Sequence, residues 1–182
     1  SLQKFLIAAA ATIGFHVYEV QSGKKVVEVS VPGLNSKQVS LSYGDKHILC
    51  LYENDKQSFI RVFDVEKVLA DIKGEYLVEI PATNDVVFTK AVWGPRNQSI
   101  IVATNLGSLM TFDIESKKFV YDLQVHKNEI LSLSITYDYT MLMTGSRDGY
   151  AKLVHPETFK TIREFHYGKP CRSATISPLF DS

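Results

Sequence analysis

The sequence predicts an all-β fold built from repeated small sheets, and three observations carry that prediction. Strand patterns cover most of the 182 residues, turn residues separate them at short intervals, and one pattern returns at spacings of 42 to 49 residues. A period of this length with four strands per unit is typical of a β-propeller, in which four-stranded sheets form blades around an axis. We therefore expect about four blades' worth of such a ring.

The individual strands are predicted from hydrophobic periodicity. Alternation in ILSLSI places Leu131, Leu133 and Ile135 on one face, as in a half-buried strand. The continuous apolar runs KHILCLY and SIIVAT indicate strands that are covered on both faces. Short clusters of Gly, Asn, Asp and Ser separate the runs and predict turns.

Four segments share one pattern, an alternating strand that ends in an aromatic or apolar residue and is followed by a polar turn. Their equivalent positions are Tyr18, Phe63, Phe112 and Val154, at spacings of 45, 49 and 42 residues. The longest spacing contains VEKVLADIKG, 65–74, which is the only helix-like segment in the sequence. We expect this helix to lengthen the connection to an outer strand.

The repeat defines one partial propeller domain, 1–182. It begins at the second strand of one blade and stops after the first strand of another, so we expect a fragment of a longer ring. The blade remnants are expected at about 1–31, 37–80, 86–125, 129–167 and 171–182.

The hairpin TGSRDGYAKLV, 144–154, resembles the turn between the second and third strands of a WD repeat. Asp148 precedes Val154 by six residues, which is the spacing between the turn Asp and the Trp of that repeat. The residues at the same spacing in the other repeats are Gln57, Leu106 and Thr12. Those blades are therefore expected to depend on apolar packing.

The WD-repeat resemblance also implies a hydrogen-bonded brace of a His, a Ser or Thr, the turn Asp and the Trp. Three of its members are expected to be His126, Asp148 and either Ser146 or Thr144. Val154 stands in the Trp position and cannot donate a hydrogen bond, so the fourth member is absent.

A narrower resemblance rests on AVWGP at 91–95, HKNEI at 126–130, SRD followed by AKL at 146–153, and SATISP at 173–178. In this combination and order they resemble the WD-repeat proteins that form subunit i of eukaryotic translation initiation factor three. The likeness is good over 90–182 and looser over 1–89. The alternative is another WD-repeat scaffold, similar to serine-threonine kinase receptor-associated protein.

The resemblance implies a seven-bladed ring and a non-catalytic scaffold for protein–protein interaction in the cytoplasm. Subunit i binds a C-terminal helix of the large subunit b and contacts subunit g, and the complex acts on the small ribosomal subunit in translation initiation. The alternative scaffold implies work in signalling or ribonucleoprotein assembly.

The sequence contains none of the common catalytic or cofactor-binding patterns: no GxGxxG, P-loop, HExxH, CxxC or GxSxG occurs. The predicted inner strands offer Lys90 and hydroxyl groups but no acid or His for a catalytic funnel. The five histidines show no metal-binding spacing. We therefore expect no enzyme activity, no cofactor and no metal.

Charge and cysteine usage narrow the class of protein further. Lys and Arg total 20, Asp and Glu total 20, and the cations are scattered, so direct DNA binding is not expected. No run approaches 18 apolar residues, so no membrane span is expected. Cys50 and Cys171 lie in apolar, strand-like segments and are predicted to be buried free thiols rather than part of a disulfide framework.

Three residues are candidates for partner binding, each with a structural alternative. Trp93 is either an anchor for a partner or part of the core at the end of an inner strand. Arg147 and Asp148 are a solvated cation and a turn brace in the structural interpretation and meet a partner helix in the functional one, and the two interpretations are compatible.

Overall fold

The computed structural model describes residues 4–10, 14–31, 33–55, 57–70, 75–83 and 85–176. The chain divides into two compact units, Ser1–Asp85 and Val86–Ser182. Each unit consists of antiparallel sheets whose strands follow one another in chain order. The all-β prediction is therefore confirmed.

The first unit contains two sheets. Sheet 1 has three strands, β1 (Phe5–Ala10), β2 (Gly14–Glu19) and β3 (Lys25–Ser30). Sheet 2 has four, β4 (Asn35–Leu41), β5 (His47–Glu53), β6 (Ser58–Asp64) and β7 (Val78–Pro81). A 3-10 turn, Tyr43–Asp45, joins β4 to β5.

The second unit contains two sheets of four strands each. Sheet 3 consists of β8 (Phe88–Trp93), β9 (Ser99–Thr104), β10 (Ser108–Asp113) and β11 (Lys118–Gln124), with a 3-10 turn at Pro95–Asn97. Sheet 4 consists of β12 (Ile130–Ile135), β13 (Leu142–Ser146), β14 (Tyr150–Val154) and β15 (Thr161–His166).

The helix expected over 65–74 is α1 (Val65–Leu69) in the structure, and residues 71–74 lie outside the described ranges. Asp64 precedes its first residue, and the Asp64 side-chain oxygen accepts a hydrogen bond from the Lys67 backbone N–H at 3.1 Å. This is the usual role of an Asp at a helix N-cap. Val65 and Val68 attach the helix to the core of the first unit.

The four aligned positions of the repeat occupy the same place in their sheets. Each lies in the strand next to the last one, opposite an apolar residue of the preceding strand. The pairs are Tyr18 with Leu6, Phe63 with Ile48, Phe112 with Ile100, and Val154 with Leu142. The spacing in the sequence therefore reflects a structural repeat, with β-bulges immediately before Tyr18, Phe112 and Val154.

A second bulge recurs near the start of the first strand in each four-stranded sheet. The ladder passes over the residue between Ser36 and Gln38 in β4, between Phe88 and Lys90 in β8, and between Ile130 and Ser132 in β12. The bulge in β12 changes the face expected from alternation. Ile130, rather than Leu131, is fully buried and packs in one cluster with Leu133 and Ile135.

Packing between sheets 3 and 4 forms the core of the second unit. Ile101, Ala103 and Leu109 of sheet 3 share one buried cluster with Leu142 and Val154 of sheet 4. All five side chains have at most 1% of their surface exposed. The two sheets therefore pack face to face through a dry apolar layer.

The end of the chain differs from the expected inner strand of a further blade. Residues 171–176 are not in a strand, and 177–182 lie outside the described residues. Hydroxyl groups bind this segment to sheet 4 instead, since Ser132 Oγ accepts a hydrogen bond from Ala174 N at 2.9 Å. Cys171 is accordingly half-buried and outside a strand, whereas Cys50 is fully buried in β5.

Candidate interaction site at the turn between β13 and β14

Three segments of the second unit meet at the candidate site. They are the loop that leads into β12, the end of β13, and the turn from Arg147 to Gly149. Gly149 adopts a φ of +90°, a conformation that costs little only for glycine, and this closes the turn tightly. The turn thereby directs the Asp148 carboxylate back toward the loop.

His126 lies between two of the side chains singled out in the sequence. Its Nδ1 is 3.0 Å from Asp148 Oδ2, and its Nε2 is 2.8 Å from Thr144 Oγ1. No surface of the His126 side chain is exposed, and 9% of the Asp148 side chain is. A buried imidazole with a partner on each nitrogen is held in one orientation.

Asp148 also organises the backbone around it. Its Oδ2 accepts a hydrogen bond from the Lys127 N–H at 2.9 Å, and its Oδ1 accepts one from the Tyr150 N–H at 3.0 Å. One carboxylate therefore fastens the loop before β12 to the start of β14. Charge-assisted hydrogen bonds of this kind are stronger than neutral ones.

Ser146 and Thr144 have different roles, a choice that the sequence left open. Thr144 contacts His126, whereas Ser146 Oγ donates to the Asn128 carbonyl at 3.0 Å and accepts from Asp148 N at 3.1 Å. Both side chains are buried. Ser146 therefore ties the same loop to the turn by a second route.

The protonation states follow from burial and from the partners. Burial lowers the pKa of His126, although the neighbouring Asp148 acts in the opposite direction. Burial opposes ionisation of Asp148, but the N–H groups of Lys127 and Tyr150 and the His126 ring together lower the pKa of its carboxyl. At neutral pH the ring is therefore neutral: its Nδ1–H donates to Asp148, and its Nε2 accepts from the Thr144 hydroxyl.

Val154 occupies the Trp position of the repeat and makes a purely apolar contribution. It is fully buried in the cluster between sheets 3 and 4. In sheet 3, the positions that correspond by ladder register to Thr144 and Asp148 are Val102 and Leu106. Sheet 3 therefore has no counterpart of the contacts made by those two side chains, and the position Thr12 in sheet 1 lies outside the described residues.

Arg147 is the exposed member of the turn, with 52% of its side chain accessible. Its Nη2 is 2.7 Å and its Nε 2.9 Å from Glu129 Oε2, and its backbone N–H donates to the Glu129 carbonyl at 2.9 Å. Glu129 was not singled out in the sequence. The available signal for Glu129 was its position three residues after His126, because a loop that brings His126 to Asp148 also passes beside Arg147.

Trp93 lies in another sheet, at the end of β8 and opposite Ile100. Only 5% of its surface is exposed, and the backbone turns directly after it at Gly94. Burial of this kind suits the core alternative, and the role of Trp93 as a partner anchor stays a prediction.

The residues that the structure describes contain no group of three His, Cys, Asp or Glu side chains placed to hold a metal ion. Within those same residues, no helix has the length and hydrophobicity needed to cross a membrane.

Comparison with known proteins finds chains that are similar to this one. The chain matches no protein-family model. It is 26% identical over 182 residues to Homo sapiens eukaryotic translation initiation factor 3 subunit I, a match that covers 98% of this chain and 55% of the relative. The Dictyostelium discoideum subunit I is 30% identical over 149 residues, covering 80% of this chain and 44% of the relative.

A chain in the crystal structure of the mitotic checkpoint complex superposes with a TM-score of 0.68 at 16% identity, covering 87% of this chain and 46% of that chain. This likeness shows the fold. The present chain therefore has the fold of a WD-repeat β-propeller. The expected fold class and the resemblance to subunit i are confirmed. The chain spans about half the length of the curated relatives it matches.

Proposed function

We propose that this WD-repeat protein is a non-catalytic interaction scaffold in the initiation of protein synthesis, as a member of the initiation factor 3 complex in the cytoplasm. The observation that carries the proposal is its similarity to subunit I over 98% of the chain. The second unit suits a scaffold, because sheet packing and the contacts of Asp148 hold its turns in fixed positions. Rigid sheets that present loops are a common basis for binding surfaces.

We further propose subunits b and g of that complex as the direct partners, and the small ribosomal subunit as an indirect one. The turn that carries Arg147 and Asp148 is the proposed contact for a partner helix. Arg147 is the accessible part of this turn, while Asp148 is committed to internal bonds. Substitution of Arg147 therefore tests the contact with a partner without removing the internal bonds of Asp148.

Affinity purification of the tagged chain from eukaryotic cells, followed by mass spectrometry, tests both proposals. Subunits b and g should be recovered with the chain. Arg147→Ala should weaken recovery of one of them about threefold to tenfold, as for an exposed interface charge. Lys160→Ala removes another exposed cation of the same unit and should change nothing.

The recovered proteins test two separate claims, the identity of the partners and the role of the turn as their contact surface. Recovery of signalling or ribonucleoprotein-assembly factors in place of initiation factor subunits would refute the translation role in favour of the alternative scaffold. Recovery of subunits b and g at equal levels with and without Arg147 would keep that role and remove the turn from the interface.

A further inference from the structure

The last strand of each sheet carries an acidic residue at the same position of the ladder. In sheets 1, 2 and 4, a basic residue of the preceding strand lies directly opposite this acid and close to it. The three pairs are His16 with Glu28 at 3.2 Å, Arg61 with Glu79 at 2.6 Å, and Lys152 with Glu164 at 2.7 Å. Opposite charges that face each other across a ladder stabilise the pairing of the two strands.

Sheet 3 keeps the acid but lacks the basic residue. Its ladder places Met110 opposite Asp122, at the position that is basic in the other three sheets. Asp122 is exposed, and its side chain has no ion pair or hydrogen bond with any residue that the structure describes. Its neighbours along the strand, Tyr121 and Leu123, are 40% and 37% exposed. Sheet 3 therefore presents an acid without a basic counterpart, between two accessible apolar side chains.

The strand that carries Asp122 is a formed and open edge. Among the described strands, β11 pairs only with β10, and an edge strand leaves a row of backbone N–H and C=O groups unpaired. The Tyr121 hydroxyl donates to the Thr158 carbonyl of sheet 4 at 2.9 Å, and the rings of Tyr121 and Phe159 lie 5.4 Å apart. These contacts hold β11 in place, so an added strand would meet an edge that is already ordered.

Sheet 2 shows which sequence pairs with a strand of this kind. An apolar–basic–apolar triplet of β6 lies opposite an apolar–acidic–apolar triplet of β7; the triplets are IRV, 60–62, and VEI, 78–80. The cation meets the acid on one face of the sheet, and the apolar residues meet on the other face. In β11 the corresponding triplet is YDL, 121–123. A segment that pairs with it should therefore carry a basic residue between two apolar ones.

We propose that the outer edge of β11 binds an extended segment of a partner protein that carries Arg or Lys between two apolar residues. The segment adds a fifth strand to sheet 3 by backbone hydrogen bonds. Its cation pairs with Asp122, and its apolar residues cover Tyr121 and Leu123. The partner thus supplies the cation that the other three sheets supply from their own strands. This site is separate from the turn that carries Arg147, and the proposal does not depend on a role in translation.

Fluorescence anisotropy of a labelled synthetic peptide, measured with the whole chain, tests the proposal. The probe is the capped heptapeptide TTIRVTT, which presents the triplet of β6 in a soluble segment. It should bind the chain. Replacing its Arg by Glu should weaken binding about fivefold or more, because like charges opposite each other oppose pairing. Replacing its Val by Pro should weaken binding as well, because proline disrupts an added strand.

Substitutions in sheet 3 locate the contact. Asp122→Asn should weaken binding of the probe about twofold to fivefold, as for loss of one cross-strand charge pair. Met110→Lys gives Asp122 an internal partner, as Lys152 does for Glu164 in sheet 4, and should weaken binding to a similar extent without lowering the midpoint of thermal unfolding. Glu115→Gln is the matched control, because Glu115 is an exposed acid on a turn of the same sheet and its substitution should leave binding unchanged.

Hydrogen exchange of the backbone amides in β11 gives a second measurement, since these amides should exchange more slowly when the probe is bound. Absence of binding by the Arg peptide, or equal binding of the Arg and Glu peptides, would overturn the proposal. Equal binding by the wild type and both variants, or unchanged exchange in β11, would overturn it as well. These results are independent of whether initiation factor subunits are recovered with the chain.

Discussion

Asp148→Asn is the substitution that most directly tests how the turn between β13 and β14 is held. The wild-type carboxylate accepts three hydrogen bonds, from His126 Nδ1 at 3.0 Å, Lys127 N at 2.9 Å and Tyr150 N at 3.0 Å. Asparagine has only one side-chain oxygen that can accept hydrogen bonds. Its NH2 group would replace the second carboxylate oxygen and would face an N–H donor, with which it cannot form a hydrogen bond. At least one charge-assisted bond is therefore lost.

The size of the effect follows from this count. Loss of a hydrogen bond to a charged group costs about 1.5–3 kcal/mol. Because 9% of the Asp148 side chain is exposed, water can replace part of the lost bonding, and we expect about 2 kcal/mol. For a unit the size of Val86–Ser182, the midpoint of thermal unfolding should fall by roughly 8–16 °C.

Urea denaturation followed by Trp93 fluorescence is the suitable assay. Trp93 is the only tryptophan, is 5% exposed, and lies in the same unit as Asp148. Asp113→Asn is the matched control, since Asp113 accepts a hydrogen bond from Ser116 N on an exposed turn, and its substitution should cost much less. Equal stability of the Asp148 and Asp113 variants would refute the bracing role of Asp148.

Other predictions concern the same unit and the two thiols. Thr144→Val should lower the free energy of unfolding by about 1–3 kcal/mol, because it leaves the buried His126 Nε2 without a hydrogen-bond donor. Thr144→Ser keeps the hydroxyl group and should lower the free energy of unfolding less. Equal losses for the two variants in urea denaturation would contradict the assigned hydrogen bond. Burial lowers the pKa of His126, so the stabilising contribution of the neutral ring is present above about pH 6.5 and declines as the pH falls below that value. Between pH 7 and 5.5, His126→Gln should therefore lose less unfolding free energy than the wild type. The same dependence of unfolding free energy on pH in both proteins would refute this assignment. Burial raises the pKa of the Cys50 thiol to about 11. When the native chain is titrated with a thiol reagent at pH 8, Cys171 should therefore react first and Cys50 only after denaturation. Rapid reaction of both thiols in the native chain would contradict the burial of Cys50.

The strands and their repeat could be predicted from sequence because both depend on local patterns. Alternation, apolar runs and turn residues define individual strands, and the recurrence of Tyr18, Phe63, Phe112 and Val154 reveals the common unit. The ladder registers place these four residues in equivalent positions. Asp148 was found in the same way, since the spacing within one hairpin does not depend on distant parts of the chain.

Other features were decided only in three dimensions, where strands and loops far apart in the chain meet. The bulge between Ile130 and Ser132 depends on the ladder with β13, so simple alternation assigned Leu131 to the wrong face. Thr144 and Ser146 share one face of β13, so the choice of Thr144 as the partner of His126 depends on the path of a loop 18 residues earlier in the chain. Periodicity specifies which residues can share a face, but the register between strands and the path of the loops determine which of them touch, because those depend on packing among the sheets.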